Sequence, residues 1–129
     1  MRRLLVALAA TALLTGCGSS GPSDQELVRS KVTELGHLTA AKDYHGLCDH
    51  VLAPTLVDKL KQIGLPCEVA LQQGLGNVTD PHLTIGTITV KGGNATAQVR
   101  TSAKGQQPSS DTLELVKVND AWRVSSLGR

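Results

Sequence analysis

Beyond residue 23, apolar residues first recur at helical spacing. Leu27, Val28, Val32, Leu35 and Leu38 form one stripe, the 3.6-residue period of an amphipathic helix. Ser23, with Glu26 three residues on, marks its start as a capping-box pair. His37 falls about 180° from the stripe on a helical wheel, so it reads as a solvated side chain. Lys42-Asp43 interrupts the pattern, and Tyr44 to Leu52 reads as a second, short helix with Leu47, Cys48, Val51 and Leu52 inward. Pro54 suits a first helical position. Leu56, Val57, Leu60 and Ile63 continue the helical spacing to a stop at Gly64. Pro66 opens a fourth short helix through Leu71, closed by Gly74 and Gly76.

After Asp80-Pro81 the period changes from 3.6 to 2. Leu83 and Ile85 alternate with Thr84, and Ile88 and Val90 alternate with Thr87 and Thr89. The apolar phase slips at Gly86-Thr87. A one-residue slip would turn inward side chains outward, and a glycine there predicts a bulge that absorbs it. Gly92-Gly93 signals a tight hairpin turn. Ala95, Ala97 and Val99 share one face of the next strand, opposed by Thr96, Gln98 and Arg100. Residues 103–111 read as a polar loop. Thr112 to Val118 is a third strand, with a phase change between Leu115 and Val116. Asn119-Asp120 is a two-residue turn, and Ala121 to Leu127 is the last strand, with Trp122 and Val124 on one face.

Helices first and strands afterwards predict an α+β fold rather than repeated βαβ units. Short connections pair neighbouring strands in order, giving an antiparallel sheet of about four strands. Bulges curl such a sheet, and the first helix then has a concave face to fill, a cone-like arrangement.

The first residues have a different character. Arg2-Arg3 precede the apolar run Leu4 to Leu14, and Thr15-Gly16-Cys17 follows. A basic start, an apolar middle and small residues are the layout of a secretory signal. The run is too short to span a bilayer, which takes about 20 residues. Leu14-Thr15-Gly16-Cys17 resembles the lipobox of bacterial lipoproteins, which implies cleavage before Cys17 and attachment of a diacylglyceryl group to its thiol. The expected organisation is a signal peptide over 1–16, a lipidated Gly/Ser tether over 17–23 and one α+β domain over 24–129. The expected place is the extracytoplasmic face of the cell membrane.

Charge changes little in this picture. The chain carries 13 Lys+Arg against 11 Asp+Glu. The excess resides in Arg2 and Arg3, which leave with the signal. No basic patch interleaved with aromatics supports nucleic-acid binding. Tyr44 and Trp122 are the only aromatics of the Phe/Trp/Tyr class, fewer than a sugar-stacking cleft would use. Cys48 and Cys67 remain after cleavage. In an exported chain an even pair reads as a disulfide, with two buried free thiols as the alternative. No neighbouring Cys or His completes a zinc-type spacing around them.

Together the segments VRSKVTELGHLTAAKDY, GLCDHVLAPT, CEVAL and the terminal NDAWRV resemble a group of small actinobacterial lipoproteins with a nuclear-transport-factor-2-like (NTF2-like) domain, over about residues 27–127. The resemblance implies a curved sheet wrapped on a long helix and a Cys48–Cys67 disulfide. Relatives of that fold include ketosteroid isomerase and SnoaL-like cyclases as well as non-catalytic modules, so fold alone does not choose a function.

An isomerase would need a carboxylate base and an oxyanion donor inside an apolar pocket. Tyr44 is the only tyrosine, and Asp43, Asp49 and Asp58 are the nearest carboxylates in sequence; all three read as caps or solvated charges. His45 and His50 do not share a helical face, so no metal is expected. No P-loop, G-x-G-x-x-G or G-x-S-x-G occurs. The expectation is a membrane-tethered, non-catalytic monomer without a cofactor, binding a small apolar ligand or an envelope protein. The alternative is an isomerase or cyclase using the cone.

Overall fold

The computed structural model describes residues 21–128; the signal, the lipobox and Cys17 lie outside them. Helix α1 covers Asp24–Ala41, α2 covers Tyr44–Gly46 and runs directly into a π-helical turn over Leu47–Val51, α3 covers Pro54–Gln62 and α4 covers Cys67–Leu75. Strands β1 (His82–Lys91), β2 (Asn94–Ser102), β3 (Ser109–Val118) and β4 (Ala121–Ser126) follow. They form one antiparallel sheet in chain order. The α+β architecture with a curved four-stranded sheet is as the periodicity predicts.

Local chemistry explains the element ends. Ser23 Oγ accepts the Glu26 N–H while the Glu26 carboxylate accepts the Ser23 N–H, closing the capping box. Lys42 ends α1 in the left-handed region at φ 55°, and Asp43 Oδ1 then accepts the Gly46 N–H at 2.9 Å to start α2. The second helix differs from expectation because its last turn is wider. A π turn leaves carbonyls facing outward. Arg123 Nη1 donates to the Asp49 carbonyl at 2.6 Å and Lys31 Nζ donates to the His50 carbonyl at 3.0 Å. The chain leaving the turn pairs with the free edge of β4, where the Ala53 N–H donates to the Val124 carbonyl at 2.7 Å.

Three boundaries move. Helix α4 continues to Leu75, since Gly74 is tolerated inside a helix whose C-terminal half packs only one face. Ile63, the last of the helically spaced apolar residues, lies past the end of α3 and is 74% exposed. Strand β3 begins at Ser109 rather than Thr112, drawn into the sheet by pairing with Thr101 of β2.

The predicted bulge is present. Ile85 pairs with Val99 and Ile88 with Ala97, so Gly86 and Thr87 are accommodated opposite one residue of β2 and Ile88 stays inward. A side chain at position 86 would approach the Gln98 carbonyl oxygen to 3.3 Å. A second register shift separates Glu114 from Leu115 against β4. The two shifts curl the sheet around α1. Val28 and Val32 of α1, Leu47 and Val51 of the π turn, Leu115 of β3 and Val124 of β4 are essentially without solvent contact.

Alternation along β3 carries Lys117 onto the face of Leu115, opposite Trp122 but at the exposed rim, and leaves Val116 and Val118 half-buried on the other face. Lys117 Nζ stands 5.8 Å from the Trp122 ring centroid and 2.9 Å from Asp24 Oδ1, and the Trp122 indole N–H donates to the same oxygen at 3.1 Å. These two donors, led by Lys117, hold the Asp24 carboxyl below its ordinary value. The start of α1 is thereby tied to the β3–β4 hairpin, whose two-residue turn has Asn119 and Asp120 at φ 49° and 64°.

Candidate functional site

The curled sheet does not close completely on the helices. Between them lies an apolar chamber of about 240 Å³. The buried Leu35, Leu47, Leu52, Leu71, Val99 and Leu113 form its floor, and the half-buried Leu75 of α4 and Leu83 of β1 form its accessible sides. Thr101, Asp111 and Leu127 stand at its mouth. A second hollow of about 240 Å³ adjoins it, sharing Leu75, Leu83 and Thr101 and bounded outward by Gly36, Thr39, His82, Gln106 and Gln107. Alternation places each residue. Val99, Leu113 and Asp111 point inward because Val99 pairs with Asp111 and Ala97 with Leu113 on the core side of β2 and β3.

The polar groups at the mouth form one chain. Thr101 Oγ1 and Ser109 Oγ are 3.1 Å apart, and Ser109 Oγ donates to Asp111 Oδ2 at 3.1 Å. Gly128, at φ 84°, passes so close to Asp111 that a side chain there would lie 3.0 Å from the Asp111 Cβ. That close approach brings Leu127 over the mouth. Helix α1 begins at the Lys117–Trp122 end and reaches the outer hollow at Gly36 and Thr39, so the mouth lies roughly 20 Å along the helix axis from Asp24.

The residues weighed from sequence lie elsewhere. Asp43 caps α2. Asp58 is exposed on α3, and Tyr44 is half-buried beside the core without lining the chamber. Asp49 pairs with His45 across one helical turn at 2.9 Å. Asp111, missed because it closes the stretch read as a loop, is the carboxylate that reaches the chamber. Thr84, Thr96, Gln98 and Arg100 cover the outer sheet face and are exposed, as alternation predicts.

Cys48 and Cys67 are joined, with Cα atoms 6.1 Å apart. The bond ties the π turn to the first residue of α4, hence to the wall that carries Leu71 and Leu75. Beside it, His45 Nδ1 lies 2.7 Å from Glu68 Oε1, so the two carboxylates flanking the cystine both reach one imidazole. The Glu68 hydrogen bond first, then the Asp49 charge, raises the His45 pKa above its ordinary 6.5. A raised folded-state value stabilises the folded form fully below the unfolded value, and that contribution is lost as pH rises through the folded value. Amide exchange in α4 is therefore expected to quicken as pH climbs above 6.5, after correction for intrinsic rates, and to lose this extra dependence in His45→Gln. Among the described residues no set of three or more His, Cys, Asp and Glu side chains converges to hold a metal ion, and no helix is long and apolar enough to cross a membrane.

No protein-family model matches the chain, and no curated protein matches it. Solved structures do. A de novo designed NTF2 fold protein, NT-9, superimposes with a TM-score of 0.55 at 16% identity, covering 82% of this chain and 87% of its own. An NTF2-like protein of unknown function from Shewanella baltica gives 0.55 at 14% identity, covering 78% and 87%. A SEC-C motif containing protein from Rhodopseudomonas palustris, RPA3114, gives 0.52 at 19%, covering 81% and 76%. At these identities the likeness concerns the backbone alone, and the helix order and the curled sheet agree with it: this chain has the NTF2-like cone fold.

Proposed function

We propose that the protein is a lipid-anchored binding module of the bacterial cell envelope, and that the leucine-lined chamber receives a small apolar ligand. The observation that carries this reading is the chamber itself, an aliphatic space opening at one end of the cone. Concave apolar pockets with a few polar groups at the rim are the ordinary form of a small-molecule site. The anchor rests on the order Arg2-Arg3, Leu4 to Leu14, then Leu14-Thr15-Gly16-Cys17. Two acyl chains on Cys17 would give stable attachment where one would hold only marginally. With the tether entering at Asp24, the mouth at the far end of α1 would take its ligand from the side away from the bilayer.

The test uses a neutral solvatochromic dye, Nile red, with the wild type and Leu75→Trp. Leu75 is half-buried and lines both hollows, so an indole there fills them with little disturbance of the core. Dye emission should rise on the wild type, and the variant should bind at least tenfold more weakly at an unchanged unfolding midpoint. Equal binding by both would overturn the pocket reading. For the anchor, intact mass of the membrane-extracted protein should begin at an acylated Cys17; a native chain retaining Met1 would overturn it.

An isomerase or cyclase is the second reading. Its supporting observation is the hydrogen-bonded Thr101, Ser109 and Asp111 at the mouth. Asp111 would be the base, and Asp111→Asn would abolish turnover while leaving dye binding intact.

A further inference from the structure

The linings of the two hollows carry an asymmetry of charge. Neither is lined by a Lys or Arg among the described residues. The lysines nearest in the chain are placed elsewhere: Lys42 Nζ donates to the Gly76 carbonyl at 2.9 Å, and Lys104 is exposed in the turn after β2. The His82 imidazole, on the outer hollow, has the Asp80 carboxylate 3.3 Å away. Asp111 supplies a carboxylate at the boundary between the apolar interior and solvent. Ser109 donates to its Oδ2, and Oδ1 has no donor among the described residues. Thr101 and Ser109 add hydroxyls beside it, and the Gln106 and Gln107 amides line the outer hollow.

A buried anion requires a cation or several donors to replace its water. The mouth offers instead a negative charge, which repels an anion within a few ångströms. The same carboxylate is a strong acceptor for a hydroxyl or an ammonium group. The interior has no aromatic wall for stacking a flat ring, and its aliphatic side chains suit a flexible hydrocarbon. At about 240 Å³ the inner chamber lies below the roughly 300–1,000 Å³ of sites for drug-sized ligands, so it suits a short body.

We infer that the cone selects amphiphiles with a short aliphatic body and a hydrogen-bond-donating head, a hydroxyl or an ammonium, seated against Asp111, and that it excludes anionic heads such as carboxylates and phosphates. This rests on the pocket reading above and goes further in naming the ligand's chemical class.

The experiment titrates octanol, octylamine and octanoate into the wild type and Asp111→Asn at pH 7, following the methyl resonances of Leu71, Leu75 and Leu113. Octanol and octylamine should shift these methyls, with octylamine the tighter by about fivefold and octanoate weaker than octanol by tenfold or more. Asp111→Asn keeps the side-chain shape and its bond to Ser109. It should remove the advantage of octylamine over octanol and improve octanoate relative to both. Octanoate binding as tightly as octanol to the wild type, or an amine-to-alcohol ratio unmoved by Asp111→Asn, would overturn the inference while leaving the pocket reading standing. If none of the three moves the methyls, both fall together.

Discussion

Leu115→Ala is expected to lower stability by about 3 kcal/mol and the melting temperature by roughly 10–15 °C. Leu115 retains 1% of its accessible surface. It sits in register between Ala95 on β2 and Val124 on β4, where the small Ala95 leaves room for the leucine beneath α1. Removing its branched end takes away transfer free energy and leaves a void. The surrounding residues cannot close that void, because Val28, Val32 and Val124 are β-branched and held in place by their own packing. A domain of this size has about 5–15 kcal/mol in total, so a loss of this size is a large share of it. Thr96→Ala, one position along β2 on the outer face, should change stability by less than about 0.5 kcal/mol. Chemical denaturation of the two variants checks both numbers. Equal effects would mean that the inner and outer faces are misassigned.

The second large effect is expected from Cys48→Ser with Cys67→Ser. The bridged residues are 19 apart in sequence. Closing a loop of about that length stabilises by roughly 3 kcal/mol through the unfolded chain. The two large effects differ in where they act. Losing Leu115 weakens the whole domain, since it lies where helix and sheet meet. Losing the cystine falls first on α4, in which only Cys67 and Leu71 are buried. Hydrogen exchange should therefore show the amides of Leu71 and Leu75 losing protection well before those of β2 and β3, and Nile red affinity should fall along with them. Uniform loss of protection across the domain would mean that α4 is not a separately held wall.

Much of this was legible along the chain. The stripe Leu27 to Leu38, the capping pair Ser23 and Glu26, and the alternation Ala95, Ala97, Val99 each depend on neighbours within a few positions, so periodicity and caps report them directly. Even the bulge at Gly86 showed as a slip in the apolar phase. The π turn was not legible, because Leu47 and Val51 suit an ordinary helix equally well; the carbonyls it frees are satisfied by Arg123 and Lys31 from distant elements. Asp111 was hidden for a related reason. Beside Ser109 and Ser110 it looks like loop, yet Asp111, Leu113 and Leu115 alternate on one face once β3 is extended by its pairing with β2. A period-2 count carried two residues further back from Leu113 would have found it.

By itself the sequence determined the order of helices and strands and the inward stripe of α1 and of β2, because these are written in local spacing. The tertiary structure alone decided that the cone retains an aliphatic chamber, that one carboxylate guards its mouth and that α4 is its fastened wall. Such features arise where residues far apart in the chain meet, and no local period records how closely a curled sheet will settle on its helices.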